Sequence, residues 1–153
     1  MAEQLEGTLW GYQDAELYYQ LWRPEKSRGT LVVTHGIAEH SDCYKKFAED
    51  MTAKNWTVFA WDLRGHGRSE GKRGYVSRFQ DYCDDLDAAI RHVKAQFHDR
   101  SLPFILFGHS MGGLITLKTV INHSPPNVAA LALSSPALGL SLEVPKLKEK
   151  AAT

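Results

Sequence analysis

With 153 residues, 43% of them apolar and 24% charged, the chain has the size and composition of one globular domain, which argues against disorder and fibrous repeats. Eighteen basic and eighteen acidic side chains cancel to a formal charge of zero, so no global field would hold a polyanion and nucleic-acid binding has no electrostatic footprint. The expected partner is small.

Cys43 and Cys83 stand in no metal-ligand or CxxC spacing, which fits a reducing compartment, and each reads as a small buried hydrophobe. The first residues lack a basic flank followed by an apolar core. No apolar run approaches the ~20 residues of a membrane span, so the simplest reading is a soluble cytoplasmic protein.

In chain order, residues 5–24 (LEGTLWGYQDAELYYQLWRP) alternate and carry a turn signal, GYQD, at their centre, which predicts an antiparallel β-hairpin ending at Pro24. TLVVTHG, from Thr30, is a short β-branched run closed by glycine, the pattern of a strand buried on both faces. Tyr44, Phe47, Ala48 and Met51 then fall at helical spacing, predicting an amphipathic helix entered from a Ser41 or Asp42 cap. WTVFAWD, from Trp56, is a second buried strand, and four glycines in LRGHGRSEGKRG, from Leu63, predict irregular structure. Phe79, Tyr82, Cys83, Leu86, Ile90, Val93 and Phe97 share one face of the longest helix. Asp81, Asp84, Asp85 and Asp87 weight its first half and read as a solvated face suited to the helix dipole rather than a metal site.

LPFILFG, from Leu102, is the third buried strand. SMGGLITLKTVINHS, from Ser110, is a helix stopped by two prolines, and NVAALALSSP, from Asn127, is a fourth strand. Short apolar strands alternating with helices imply an α/β fold, with a mostly parallel sheet, an N-terminal antiparallel hairpin and helices on both faces. The polar tail 141–153 reads as a short amphipathic helix or a frayed end.

Ligands gather at the carboxyl ends of strands in an open parallel sheet, and Ser110 falls there, inside Gly108-His109-Ser110-Met111-Gly112. A nucleophile on a sharp strand-to-helix turn needs neighbours without side chains, a need that Gly108 and Gly112 meet. The helix starting beneath Ser110 turns its first N–H groups toward developing negative charge. His109 points elsewhere on such a turn and is expected to pack. THGIAEH, Thr34 to His40, follows the strand expected beside that of the serine, so the Ile37 and Met111 N–H groups would make a two-donor oxyanion hole. His66, in the glycine-rich loop, reads as structural.

HGIAEHSDCY, WDLRGHGRSEGKRGYV, GHSMGG and LSSPAL, in that order and at those distances, resemble the α/β-hydrolase superfamily and its monoacylglycerol lipase and lysophospholipase branch. The resemblance runs from about Gly7 to Leu140. It implies a serine esterase without cofactor or metal that acts on single-chain lipid esters, with Ser110 the nucleophile, Ile37 and Met111 the oxyanion donors, and His35 and Gly36 shaping the hole. Glu39, His40 and Tyr44 would lie near the pocket mouth. Residues 1–140 would be the N-terminal part of the hydrolase core. The tail would begin a cap, the part through which contact with a membrane surface would come.

The triad order of this superfamily, Ser then Asp or Glu then His, is not met. After Ser110 the only acids are Glu143 and Glu149, and the only histidine is His123, twelve or so residues along the helix and hence about 18 Å away. His35, His40 and His66, on loops at the same sheet edge, are candidates for a substitute base, but none has an evident orienting carboxylate. The expectation is therefore an N-terminal portion lacking the C-terminal strands and the triad acid and base. The alternative is a noncatalytic module that binds a lipid or protein, with association through an exposed sheet edge.

Overall fold

The computed structural model describes residues 2–139, and the expectations for the tail lie outside them. Six strands form one sheet in the order β1-β2-β4-β3-β5-β6. The predicted hairpin is β1 (Glu3–Trp10) with β2 (Glu16–Arg23), antiparallel in register Gly7 with Tyr19. It joins β4 (Thr57–Trp61) antiparallel, while β3 (Thr30–Thr34) runs parallel to both β4 and β5 (Phe104–His109). β6 (Ala130–Ser134) pairs parallel with β5 and has no other neighbour among the described residues.

Alternation along each strand divides the core in two. Leu21, Val32, Phe59, Trp61 and Leu106 face α2 (Phe79–Gln96) and α3 (Met111–His123), whereas Trp22, Leu31, Val33, Val58 and Ala60 face α1 (Lys45–Ala53). Every residue of β3 and β4 is buried, as their unbroken apolar runs required. The Leu, Val and Phe side chains among them each contribute roughly 1.5–3 kcal/mol by leaving water.

Three expectations need correction. The first concerns the entry to α1: residues Ser41–Tyr44 form a 3-10 turn and no side chain caps the helix. Ser41 Oγ and the Asp42 carboxylate instead accept hydrogen bonds from Gln20 Nε2, at 3.0 and 2.6 Å. The second is the acidic cluster. Asp81 and Asp85 are buried, because α2 packs against the β1–β2 turn and the glycine-rich loop. Arg64 of that loop forks onto both Asp85 oxygens at 2.6 and 2.7 Å, and the Tyr12 N–H donates to the same carboxylate at 2.8 Å. Asp81 pairs with Arg78, Asp84 with His123 and Asp87 with Arg91. The third is Cys43, which is exposed on the turn before α1, whereas Cys83 is buried as expected. The fourth strand of the sequence reading is β6, where Ala130, Ala132 and Leu133 are exposed because nothing described covers the sheet on that side.

Candidate active site

The strand order reverses at β3, which has β4 on one side and β5 on the other, and the carboxyl ends of β3 and β5 bound the crevice where such sheets bind ligands. Ser110 stands at the end of β5 with φ 52° and ψ −119°, a conformation an L-residue adopts at a cost of about 1–3 kcal/mol. Four backbone bonds hold it there. Its N–H donates to the Ser134 carbonyl at 3.0 Å, and its carbonyl accepts from Gly113, Leu114 and Ala137. The segment after β6 thus clamps the turn, and a Cβ on Gly113 would stand 2.9 Å from Pro136. The sequence offered LSSPAL only as a motif, and this clamping was not readable from it.

The glycines flanking Ser110 are required by contact. A Cβ on Gly108 would lie 2.5 Å from the Gly112 carbonyl, and one on Gly112 would lie 2.1 and 2.3 Å from the Thr34 and His35 carbonyls. A Cβ on Gly36 would stand 3.2 Å from Ser110 Cβ, so the loop after β3 lies directly against the serine. Met111 opens α3, and neither its N–H nor that of Ile37 has a hydrogen-bond partner among the described residues. The Ile37 side chain is 65% exposed, so this residue contributes its backbone to the loop rather than a packed side chain.

His35 is locked in place. Its ring is buried, Nδ1 donates to the Gly36 carbonyl at 2.6 Å, and Nε2 accepts the Leu63 N–H at 3.0 Å. Burial pushes its pKa down to about 4, against which the Gly36 hydrogen bond and the Asp62 charge work only in part. The imidazole is neutral with both nitrogens engaged, which removes it as a base for Ser110.

His66 is buried too, with Nδ1 3.2 Å from the Arg64 carbonyl and its ring 5.4 Å from that of His35. His40 does have a carboxylate nearby, contrary to expectation: Nδ1 lies 3.8 Å from Asp42, both groups about half exposed. His109 packs its Nδ1 3.2 Å from Ser134 Oγ. His123 meets Asp84 at 2.9 Å at the far end of α3. Among the described residues, no imidazole hydrogen-bonds to Ser110 Oγ.

Glu39 and Tyr44, expected near a pocket mouth, meet each other across the loop after β3. One Glu39 oxygen accepts the Gly36 N–H at 2.7 Å and the Tyr44 hydroxyl at 2.8 Å. Burial acts to raise the Glu39 pKa, but these two donors and the nearby His109 and His35 rings outweigh it and hold the carboxyl below its usual value. Tyr44 is buried and its pKa is raised, by burial first and then by this hydrogen bond.

Asp62, at the end of β4, was not singled out in the sequence. Its carboxylate accepts from the Ser41 N–H at 2.6 Å and the Arg68 N–H at 2.9 Å, tying the loops after β3 and β4 together. An acid directly after the apolar run of β4 was the available signal. A cleft of about 610 Å³ lined by Glu3, Arg23, Ser27, Phe97 and Asp99 lies at the opposite end of the sheet, where β3 and β4 begin, and has no part in this site. No described helix is long and apolar enough to cross a membrane.

This arrangement has known relatives. The family model described as serine aminopeptidase, S33, matches residues 25–153. The chain is 37% identical over 125 residues to "Phospholipase YtpA" of Bacillus subtilis, covering 82% of this chain and 47% of that one. It is 38% identical over 122 residues to the human "Monoglyceride lipase", covering 78% and 39%. Among solved structures, the Paleococcus ferrophilus monoacylglycerol lipase aligns with a TM-score of 0.72 at 32% identity, over 89% of this chain and 49% of that one. The chain thus spans less than half the length of the curated relatives it matches. Family model, relatives and sheet order agree: the chain belongs to the S33 family of α/β hydrolases, on its monoacylglycerol lipase-like branch.

Proposed function

We propose that this chain carries the nucleophile and oxyanion hole of a serine hydrolase acting on single-chain lipid esters, monoacylglycerols or lysophospholipids, and that polypeptide outside these 153 residues supplies the triad acid and base. The observation that carries the reading is the left-handed Ser110 between β5 and α3 with the Gly36 loop against it. Relatives named for monoglycerides and phospholipids support the substrate class.

In the reaction, Ser110 Oγ attacks the ester carbonyl carbon while its proton passes to the supplied imidazole. The oxyanion receives the Ile37 and Met111 N–H groups, backed by the N-terminus of α3; losing one such donor typically costs about 3–4 kcal/mol of transition-state stabilisation. Collapse breaks the C–O bond, the alcohol departs with the proton, and water hydrolyses the acyl-serine. Contact with a membrane surface would come through the cap.

A second reading, a noncatalytic lipid- or protein-binding module, draws on the exposed apolar residues of β6 and on the Ser110 hydroxyl, which meets no hydrogen-bond partner among the described residues. A fluorophosphonate probe separates the two. The 153-residue chain is expected to label little at Ser110, and addition of the C-terminal half of the hydrolase core is expected to restore labelling and ester turnover, both lost in Ser110→Ala. A complemented protein that neither labels nor turns over would favour the module.

A further inference from the structure

The loop after β3 closes on itself in an unusual way. The Glu39 N–H reaches the Gly36 carbonyl at 3.4 Å, while the Glu39 carboxylate takes the Gly36 N–H at 2.7 Å, so both polar groups of Gly36 are occupied by one residue. The Gly36 carbonyl also accepts His35 Nδ1–H. Within this turn Ala38 has φ 59°, a left-handed value that costs a residue with a Cβ about 1–2 kcal/mol. The clasp offsets that strain. The Ile37 N–H, in the middle of the clasped turn, has no hydrogen-bond partner among the described residues.

We propose that Glu39 is a positioning residue: through Gly36 it holds the Ile37 N–H free and directed to the oxygen that develops beside Ser110. This rests on the assignment of Ile37 and Ser110 above. Tyr44 steadies the clasp, since its hydroxyl, carried on a buried ring packed near Phe107, donates to the same oxygen. A carboxylate is an unfavourable neighbour for a developing oxyanion, so what Glu39 contributes is geometry and not charge. Its neutral amide, which keeps an acceptor oxygen, should therefore serve as well, whereas a methyl should not.

Two measurements test this. In the 153-residue chain, amide exchange followed by NMR is expected to show Gly36 protected at least about tenfold over Ile37. Glu39→Ala should bring Gly36 to the Ile37 rate, Glu39→Gln should keep it protected, and the Val32 and Leu106 amides should not change in either. In the ester-hydrolysing polypeptide with its C-terminal half present, Glu39→Ala is expected to lower kcat about 100-fold with KM within twofold. Glu39→Gln should leave kcat within threefold. Unchanged Gly36 exchange in Glu39→Ala, or a change confined to KM, overturns the proposal; the latter would return Glu39 to substrate contact at the pocket mouth. Failure of Ser110 to react in the complemented enzyme would instead strike the assigned function, and the exchange result would stand apart from it.

Discussion

Gly112 puts two magnitudes in opposition. Helix propensity alone says that Gly112→Ala, within the first turn of α3, should stabilise the protein by at most about 1 kcal/mol. The packing says the opposite. The new methyl would sit 2.1 Å from the Thr34 carbonyl oxygen and 2.3 Å from that of His35, where ordinary contact begins near 3.4 Å. Both obstacles are backbone at the end of β3, which is paired on both sides, so no rotamer change relieves them. Helix and strand would have to part by roughly 1 Å, and overpacking of this kind costs about 1–3 kcal/mol or more.

The expected net loss is about 1–2 kcal/mol, read as a urea midpoint lower by about 1 M at an unchanged slope, with fluorescence of the four tryptophans, one of them the fully buried Trp61, as the signal. Gly139→Ala, where an added Cβ meets nothing within 4 Å among the described residues, is the control and should stay within about 0.5 kcal/mol. A Gly112→Ala midpoint equal to or above wild type would refute the claim that the turn requires glycine by contact.

Other outcomes follow from the same geometry. Because burial depresses the His35 pKa from 6.5 to about 4, folding favours its neutral form, and that contribution is whole above pH 6.5 and lost as pH falls toward 4. The loss is about 3 kcal/mol over that window, and His35→Asn should show a correspondingly shallower stability profile; parallel profiles would contradict a buried neutral ring. Arg64→Ala leaves the fully buried Asp85, among the described residues, with the Tyr12 N–H alone and should cost about 3–5 kcal/mol by thermal denaturation, against which a loss below 1 kcal/mol would count. Ser110→Gly should be more stable than Ser110→Ala by about 1 kcal/mol, since glycine relieves the left-handed strain; equal stability would mean the turn is not strained.

Local pattern was enough for the layered α/β arrangement. The apolar runs of β3 and β4 and the three-and-four spacing of α2 state their own burial, because side-chain period is a property of the backbone and needs no partner to be read, whereas β5, read as buried, buries only every second residue on a sheet that β6 leaves open. Gly108, Ser110 and Gly112 were legible for a similar reason: a sharp turn between strand and helix leaves a composition that little else demands. After Ser110 the 153 residues contain no Asp or Glu followed by a His.

What only tertiary structure decided was which polar groups meet. Asp81 and Asp85 look solvent-facing on a helix wheel, yet a loop some twenty residues earlier delivers Arg64 to Asp85 and buries both. His35 was a candidate base until Leu63 and Gly36 took its two nitrogens. That one Glu39 oxygen takes both the Gly36 N–H and the Tyr44 hydroxyl was likewise decided by the fold. Hydrogen-bond partners of this kind are chosen by three-dimensional proximity across loops, and nothing in the spacing of residues along the chain encodes that choice.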